Sequence, residues 1–132
     1  MFTSQKLTLR KSERLKSKKT IERLFKEGRS FFVYPFKVVY SIYPVSASKD
    51  LLQAGFGVTT RNFKNAHDRN RLKRITREAY RLQKPPLQGL LLQASVHMDV
   101  FFIYSSRQME SYQLVSAKID VILKKLQAEI NQ

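Results

Sequence analysis

The chain of 132 residues, 42% of them hydrophobic, is long enough to bury one core and short for two, so we expect a single domain over residues 1–132. Twenty-five Lys and Arg residues against ten Asp and Glu leave a formal net charge of +15, a self-repulsion that favours a polyanionic partner. The lack of cysteine excludes disulfides and thiol chemistry, and no membrane-spanning run or secretory signal is visible, so we expect a cytoplasmic protein.

The first predicted element is a short helix over residues 17–27. Ile21, Leu24 and Phe25 fall on one side at helical spacing. Gly28 follows in the C′ position, where glycine commonly ends a helix.

Two strands are predicted next. Residues 36–43, which follow Pro35, alternate in strand fashion and hold many aromatic and β-branched side chains. Residues 51–60 form the second strand, in which Gly55 and Gly57 leave one face bare. A bare strand face lets a ligand or another backbone approach closely.

Three further elements complete the prediction. A helix over residues 68–84 ends before Pro85, and residues 99–104 form an apolar strand that we expect to be covered on both faces. A last amphipathic helix spans residues 111–128. The mixture of helices and strands predicts an α/β or α+β sandwich.

The helix over residues 68–84 carries its cations opposite its apolar stripe. At about 100° per residue, the predicted stripe consists of Leu72, Ile75, Ala79 and Leu82. Five cations and one amide lie on the other side: Asn70, Lys73, Arg74, Arg77, Arg81 and Lys84. Only Glu78 lies near enough to neutralise any of them.

Two interpretations of this cationic side compete. It could be an ordinary solvated helix face, but such faces usually mix both signs of charge. Arg69 and Arg71 also lie in the predicted first turn, where the helix dipole disfavours cations, and only Asp68, the predicted N-cap, suits that position. Repeated violation of local rules in one segment favours polyanion binding.

Residues 60–81, TRNFKNAHDRNRLKRITREAYR, resemble the signature of the bacterial ribonuclease P protein subunit, an RNR-x-KR-x-x-RE helix after a basic loop. Residues 8–15 resemble the family's N-terminal arm, which we place over residues 1–16, and residues 18–28 resemble its first helix. The resemblance implies an α+β fold, a two-layer α/β sandwich in the order α-β-β-β-α-β-α. Its four-stranded mixed sheet would contain a left-handed βαβ crossover, against the usual hand.

The resemblance also implies the function. The family's ribonucleoprotein removes the 5′ leader of precursor tRNA, with the catalytic groups and magnesium held mainly by the RNA subunit and substrate. The protein would bind the catalytic RNA and the leader, with no membrane and no obligate protein partner. The implied RNA-binding residues are Arg61, Lys64, Arg69, Asn70, Arg71, Lys73, Arg74, Arg77 and Arg81. The implied leader cleft is lined by Ile21, Phe25, Phe36 and Tyr40, although Phe36 also suits a core.

The residues themselves agree with a protein that has no catalytic groups of its own. His67 and His97 lie thirty positions apart and belong to no recognisable triad, and Asp99 alone cannot build a two-metal site. Two other classes of protein remain open. A general RNA-binding protein would explain the charge but not the ordered spacing, and a membrane-surface helix would need the apolar stripe that the core requires.

Overall fold

The computed structural model describes residues 9–45 and 50–130, so residues 1–8 of the predicted arm lie outside the described residues. A 3-10 turn at Lys11–Glu13 comes first. The helices and strands that follow are α1 (Lys18–Glu27), β1 (Arg29–Val33), β2 (Phe36–Pro44), β3 (Leu52–Val58), α2 (Ala66–Gln83), α3 (Pro85–Ala94), β4 (Val96–Tyr104) and α4 (Tyr112–Ile130). None of these described helices is long and apolar enough to span a membrane.

The strands form one mixed sheet in the order β1-β2-β4-β3. β2 pairs with β1 and with β4 in antiparallel register, whereas β3 and β4 are parallel. Parallel neighbours need a long crossover connection, and α2 and α3 provide it. The predicted α+β fold with a four-stranded mixed sheet is therefore confirmed.

Side-chain alternation along the strands gives the sheet two different faces. The face that carries Val38 and Phe102 packs against α2, α3 and α4, and we call it the core face. The face that carries Val39 and Phe101 packs against α1, and we call it the α1 face. Each strand therefore contributes alternate residues to two separate environments.

Aromatic rings around Phe102 fill the centre of the core face. Its ring stacks on Phe56 with centroids 5.5 Å apart, and it meets Phe36 and Tyr80 edge-on at 6.2 Å and 5.6 Å. Aromatic pairs at these separations add to the stability that buried area alone provides. Because Tyr80 belongs to α2, this cluster fixes that helix against the sheet.

The six helices and strands predicted from periodicity are present, with ends shifted by at most three residues. Periodicity did not predict β1, which the family resemblance implied, or α3, which neither implied. α3 begins at Pro85, because proline is tolerated in the first turn of a helix, where its missing N–H is not needed. Within the leucine run of α3, Leu91 is buried and Leu92 is exposed.

The end of α1 differs from the prediction in its backbone geometry. Gly28 is the C-cap with φ −74° and ψ 163°, an extended conformation that any residue can adopt. A side chain is excluded there by close packing, because a Cβ atom would lie 2.5 Å from the carbonyl oxygen of Leu24 and 2.9 Å from that of Tyr40. The glycine lets the chain turn directly from α1 into β1.

The bare face of β3 is filled from the neighbouring strand. A Cβ atom on Gly55 would overlap the ring of Phe101, and one on Gly57 would lie 3.0 Å from the same ring. The two glycines therefore leave space on the α1 face that an aromatic side chain of the neighbouring strand fills. This is a close approach of the kind predicted for the bare face of this strand.

We expect the Gly55→Ala substitution to destabilise the protein by about 1–3 kcal/mol, since the new methyl group must displace Phe101. Gly89→Ala is the matched control. It lies within α3 with no heavy atom within 4 Å of the added Cβ, so it should stabilise the protein by about 0.5–1 kcal/mol. Urea unfolding measures the free energy of unfolding of both variants. Equal effects of the two substitutions would contradict the close packing of Phe101 against Gly55.

Candidate nucleic-acid interface

Helix α2 begins two residues earlier than predicted, which changes its N-cap. The side-chain oxygen of Asn65 accepts a hydrogen bond from the backbone N–H of His67 at 2.8 Å, so Asn65 caps the helix and not Asp68. Asp68 lies in the first turn, where its charge favours the positive end of the helix dipole. Its negative charge partly offsets the unfavourable interaction of the helix dipole with the cations that follow.

The apolar stripe predicted for α2 is right for Leu72, Ala79 and Ile75, which packs against the core, and wrong for Leu82. The buried residues are Leu72, Thr76, Ala79 and Tyr80, whereas Ile75 is half-buried and Leu82 is 43% exposed. Thr76 is accepted in the core because its hydroxyl donates a hydrogen bond to the carbonyl oxygen of Leu72 at 2.7 Å. The buried side of α2 is therefore centred closer to Thr76 than the pattern of apolar residues predicted.

The side of α2 away from the core still carries its cations. Asn70, Arg71 and Arg74 are exposed, as are Arg61 and Lys64 in the preceding loop. The half-buried members of the predicted set are Arg69, Lys73, Arg77 and Arg81. We call all nine the cationic surface.

Seven cations of this surface form no ion pair within the described residues: Arg61, Lys64, Arg69, Arg71, Lys73, Arg74 and Arg77. Burial, and then the nearby charges of Arg14 and Arg74, hold the pKa of Arg77 below its ordinary value. The field around Arg77 is thus positive and uncompensated, which is the condition that favours binding of an anion.

Two members of the set have structural bonds of their own. The Arg69 guanidinium donates to the carbonyl oxygens of Phe63 and Lys64, at 2.7 Å and 2.8 Å, and so fixes the basic loop to the start of α2. Arg81 pairs with Glu78 at 2.7 Å, and this hydrogen bond holds the pKa of Glu78 below its ordinary value. The predicted role of Glu78 as a neutralising partner is confirmed.

Lys84 does not belong to the cationic surface, contrary to the prediction. Its side chain is fully buried and its ammonium group bonds to the carboxylate of Glu13, which is also buried. The helical wheel could not show this, since α2 ends at Gln83 and the chain turns into α3 at that point.

A second surface lies between α1 and the α1 face of the sheet, and we call it the α1 cleft. Phe25 is 49% exposed and its ring meets Phe101 edge-on, with centroids 5.1 Å apart. Ile21 packs in the same cluster. A cavity of about 390 Å³ continues this surface and is lined by Thr20, Arg23, Leu24, Glu27, Ser41, Tyr43 and Asp99.

The structure corrects the implied cleft residues on the strand. Phe36 and Tyr40 lie on the core face, where Phe36 is fully buried and Tyr40 is 5% exposed, with its hydroxyl bonded to Glu129 at 2.8 Å. A shift of one residue along a strand moves a side chain to the other face. Val39, next to Tyr40, is the residue that packs with α1.

The polar end of the cleft contains a buried hydrogen-bonded group that sequence analysis missed. Nε2 of His97 and the hydroxyl of Tyr43 lie 2.7 Å from different carboxylate oxygens of Asp99. Burial, and then the bond to Asp99, raise the pKa of Tyr43. The sequence carries no signal for this group, because Tyr43 and His97 come together only through the register between β2 and β4.

Comparison with known proteins identifies relatives of this chain. The family profile described as Ribonuclease P matches residues 9–127. The ribonuclease P protein component of Porphyromonas gingivalis (strain W83) is 36% identical over 110 residues, covering 81% of this chain and 77% of the relative. That of Chlorobium phaeobacteroides is 30% identical over 125 residues, covering 88% and 86%.

Solved structures agree on the fold. The RNase P protein of Thermotoga maritima is similar with a TM-score of 0.65 at 24% identity, covering 86% of this chain and 96% of that one. The Staphylococcus aureus RNase P protein also gives 0.65, at 21% identity, covering 86% and 94%. The profile match, which spans both the cationic surface and the α1 cleft, and the relative of 36% identity establish that the chain belongs to the ribonuclease P protein family.

Proposed function

We propose that this chain binds the catalytic RNA of ribonuclease P and the 5′ leader of precursor tRNA, and thereby assists removal of the leader. The observation that carries the proposal is the cationic surface, where seven cations have no carboxylate partner in the described part of the chain. Membership in the family supports the RNA subunit as the partner. Ribonuclease activity then belongs to the assembled ribonucleoprotein.

The cationic surface is the part that we assign to the catalytic RNA. Exposed guanidinium groups such as those of Arg71 and Arg74 can each form two parallel hydrogen bonds to a phosphate. Arg69 contributes indirectly, because its bonds to the loop carbonyls keep Arg61 and Lys64 close to α2. Binding through phosphates predicts a steep dependence of affinity on salt concentration.

The α1 cleft is the part that we assign to the leader. Single-stranded RNA is held by stacking of bases on aromatic rings beside a cationic groove. Phe25 and Phe101 supply the rings, Ile21 and Val39 the apolar floor, and Arg23 the nearby charge. The leader would therefore contact the side of the sheet opposite the core.

We propose that magnesium is held by the RNA subunit and the substrate. Magnesium prefers several oxygen ligands, and the described residues contain no cluster of three or more side chains suited to hold a metal ion. Asp99 in the cleft is engaged with His97 and Tyr43. The described residues therefore do not fit a magnesium site, and we assign to them the binding and orientation of RNA.

The first test concerns the cationic surface. We expect Arg71→Ala and Arg74→Ala each to leave the fold intact and to slow cleavage of precursor tRNA at low magnesium by about tenfold, since each removes charge-assisted hydrogen bonds. The measurement is single-turnover cleavage by the holoenzyme reconstituted with a bacterial ribonuclease P RNA.

Lys124→Ala is the matched control for that experiment. It removes one charge from the exposed side of α4, where Lys124 pairs with Asp120 at 3.1 Å and lies outside the cationic surface. Cleavage should remain near the wild-type rate. If the arginine variants also cleave normally, or if unrelated structured RNAs bind as tightly as the catalytic RNA, the assignment of this surface is wrong.

The second test concerns the α1 cleft. We expect Phe25→Ala to weaken binding of leader-bearing tRNA to the holoenzyme by about 1–3 kcal/mol, the value of one stacked base, with little effect on mature tRNA. Tyr40→Phe is the control, because Tyr40 lies on the core face, away from α1, and its hydroxyl donates a hydrogen bond to Glu129. Equal losses for the two tRNAs would exclude the cleft as the leader site.

A further inference from the structure

Strand pairing sets four residues side by side across the α1 face of the sheet, and we call them the Phe32 row: Phe32 on β1, Lys37 on β2, Ile103 on β4 and Gly57 on β3. Lys37 lies two residues from Val39, and Ile103 lies two residues from Phe101, so the row belongs to the same face as these two side chains. Neighbouring strands are about 4.8 Å apart, which makes the row about 14 Å long.

Helix α1 leaves the Phe32 row open. Leu24 of α1 packs on Val39 in the adjacent row, and Ile21 and Ile103 lie against the same cluster. No member of the row is buried, and its two residues on β1 and β2 are exposed. The Phe32 ring is 61% exposed, more than the ring of Phe25. The row therefore forms the floor of a groove that has α1 as its wall.

Phe32 and Lys37 offer the two groups that hold single-stranded RNA, a flat ring and a cation. They lie directly opposite each other in the antiparallel pair of β1 and β2, where Cβ atoms are about 4.5–5.5 Å apart. Lys37 forms no ion pair among the described residues. One nucleotide can thus place its base on the ring and its phosphate at the ammonium group.

This position is separate from the rings already assigned to the α1 cleft. Phe25 contacts Phe101 on β4, with centroids 5.1 Å apart. Strand β2 separates β4 from β1, so the backbones that carry Phe101 and Phe32 are about 10 Å apart. The groove therefore offers two stacking positions, which suit two different bases.

The direction of the row orders these two positions. At its β3 end the row stops at Gly57, and the chain continues from β3 through the basic loop into α2. The cationic surface, which we assign to the catalytic RNA, begins in that loop with Arg61. Phe32 lies at the opposite edge of the sheet. A leader that enters from the side of the catalytic RNA reaches Phe101 before it reaches Phe32.

We propose that the ring of Phe32 stacks on one base of the leader, farther from the cleavage site than the base held by Phe25 and Phe101, and that Lys37 binds a phosphate beside it. The inference rests on the proposed function, because its ligand is the leader. It adds two binding residues on β1 and β2. Stacking and a phosphate contact do not distinguish bases, so this position accepts any leader sequence.

A double-mutant cycle between the protein and the leader tests the stacking contact. Precursor tRNAs carry one abasic nucleotide at successive leader positions, and their affinity for the holoenzyme with a bacterial ribonuclease P RNA is measured. We expect Phe32→Ala to bind an intact leader about tenfold more weakly, and to lose nothing more from an abasic nucleotide at one particular position. Phe25→Ala should show this insensitivity at a position closer to the cleavage site. Multiplicative losses for Phe32→Ala at every position would overturn the inference.

Leader length gives an independent measurement. Leaders too short to reach the position that couples to Phe32 should bind equally to the wild-type holoenzyme and to the Phe32→Ala holoenzyme. The same short leaders should still be weakened by Phe25→Ala. If Phe32→Ala weakens short and long leaders equally, its effect comes from the fold of the protein and the proposed contact does not exist.

Conservative variants separate stacking from apolar burial. Phe32→Tyr keeps the ring and should bind like the wild-type protein, whereas Phe32→Leu keeps only an apolar side chain and should lose nearly as much as Phe32→Ala. Leu92→Ala is the control, because it removes an exposed apolar side chain from α3, which packs on the core side of the sheet. Wild-type affinity of Phe32→Leu, or an equal loss for Leu92→Ala, would contradict stacking on Phe32.

Lys37→Gln tests the phosphate contact. We expect the slope of log affinity against log salt for leader-bearing tRNA to fall by about 0.7, the value for one phosphate of a single strand, with no change for mature tRNA. Lys124→Gln removes an exposed charge from α4 and should leave the slope unchanged. An unchanged slope for Lys37→Gln, or the same fall for both variants, would exclude Lys37 from the site.

Phe25→Ala separates this inference from the function on which it rests. If Phe25 couples to one leader position while Phe32 couples to none, only the position at Phe32 is wrong. If neither residue couples to any position, the assignment of the α1 cleft to the leader fails as well.

Discussion

The packing of Tyr80 against Phe56 and Phe102 sets the rotation of α2 about its axis, with ring centroids 5.5 Å and 5.6 Å apart. Tyr80 is fully buried, so the side of the helix that carries it cannot turn outward without opening the core. Arg74 then faces solvent, because it lies on the opposite side of the helix. The aromatic cluster thus decides which cations are available to a ligand.

This arrangement concentrates like charges that the protein itself does not neutralise. The acids of α2 are Asp68 at its start and Glu78, which pairs with Arg81. Glu13 is buried and pairs with Lys84, so it does not neutralise the exposed cations. Neighbouring cations on one helix repel by a few tenths of a kcal/mol per pair, and burial of Arg77 adds to that penalty. The aromatic core offsets these terms in the isolated protein, and a bound polyanion would remove them.

Sequence analysis predicted features that depend on local pattern or on spacing. Strands β2, β3 and β4, the cationic helix and α1 are recognisable because their periods of about 2 and 3.6 residues are local properties. The errors occur where a side-chain hydrogen bond or an ion pair, and not the apolar pattern, decides which residue is buried. Thr76 is buried because its hydroxyl bonds within the helix, and Lys84 is buried because Glu13 lies 71 residues away in sequence and next to it in space.

The residues of β2 show a second reason why sequence analysis failed to predict the cleft. Tyr40 is aromatic and Val39 is not, so residue type favoured Tyr40 for a stacking surface, yet the α1 face is defined by the parity of positions along β2. The aromatic ring that lies in the cleft comes from β4 instead, where Phe101 occupies the space that Gly55 leaves open. Only the register between the strands relates these two residues.

The arm connects the two surfaces that this sheet separates. Leu15 packs with Leu24 and Val39 on the α1 face, whereas Glu13 reaches Lys84 at the end of α2 on the core side. Two residues apart in sequence, they hold the arm across the edge of β3. Any displacement of the arm would therefore disturb the apolar floor of the α1 cleft together with the field around Arg77. The contacts that hold the arm therefore reach the apolar floor of the α1 cleft on one side of the sheet and the end of α2 on the other.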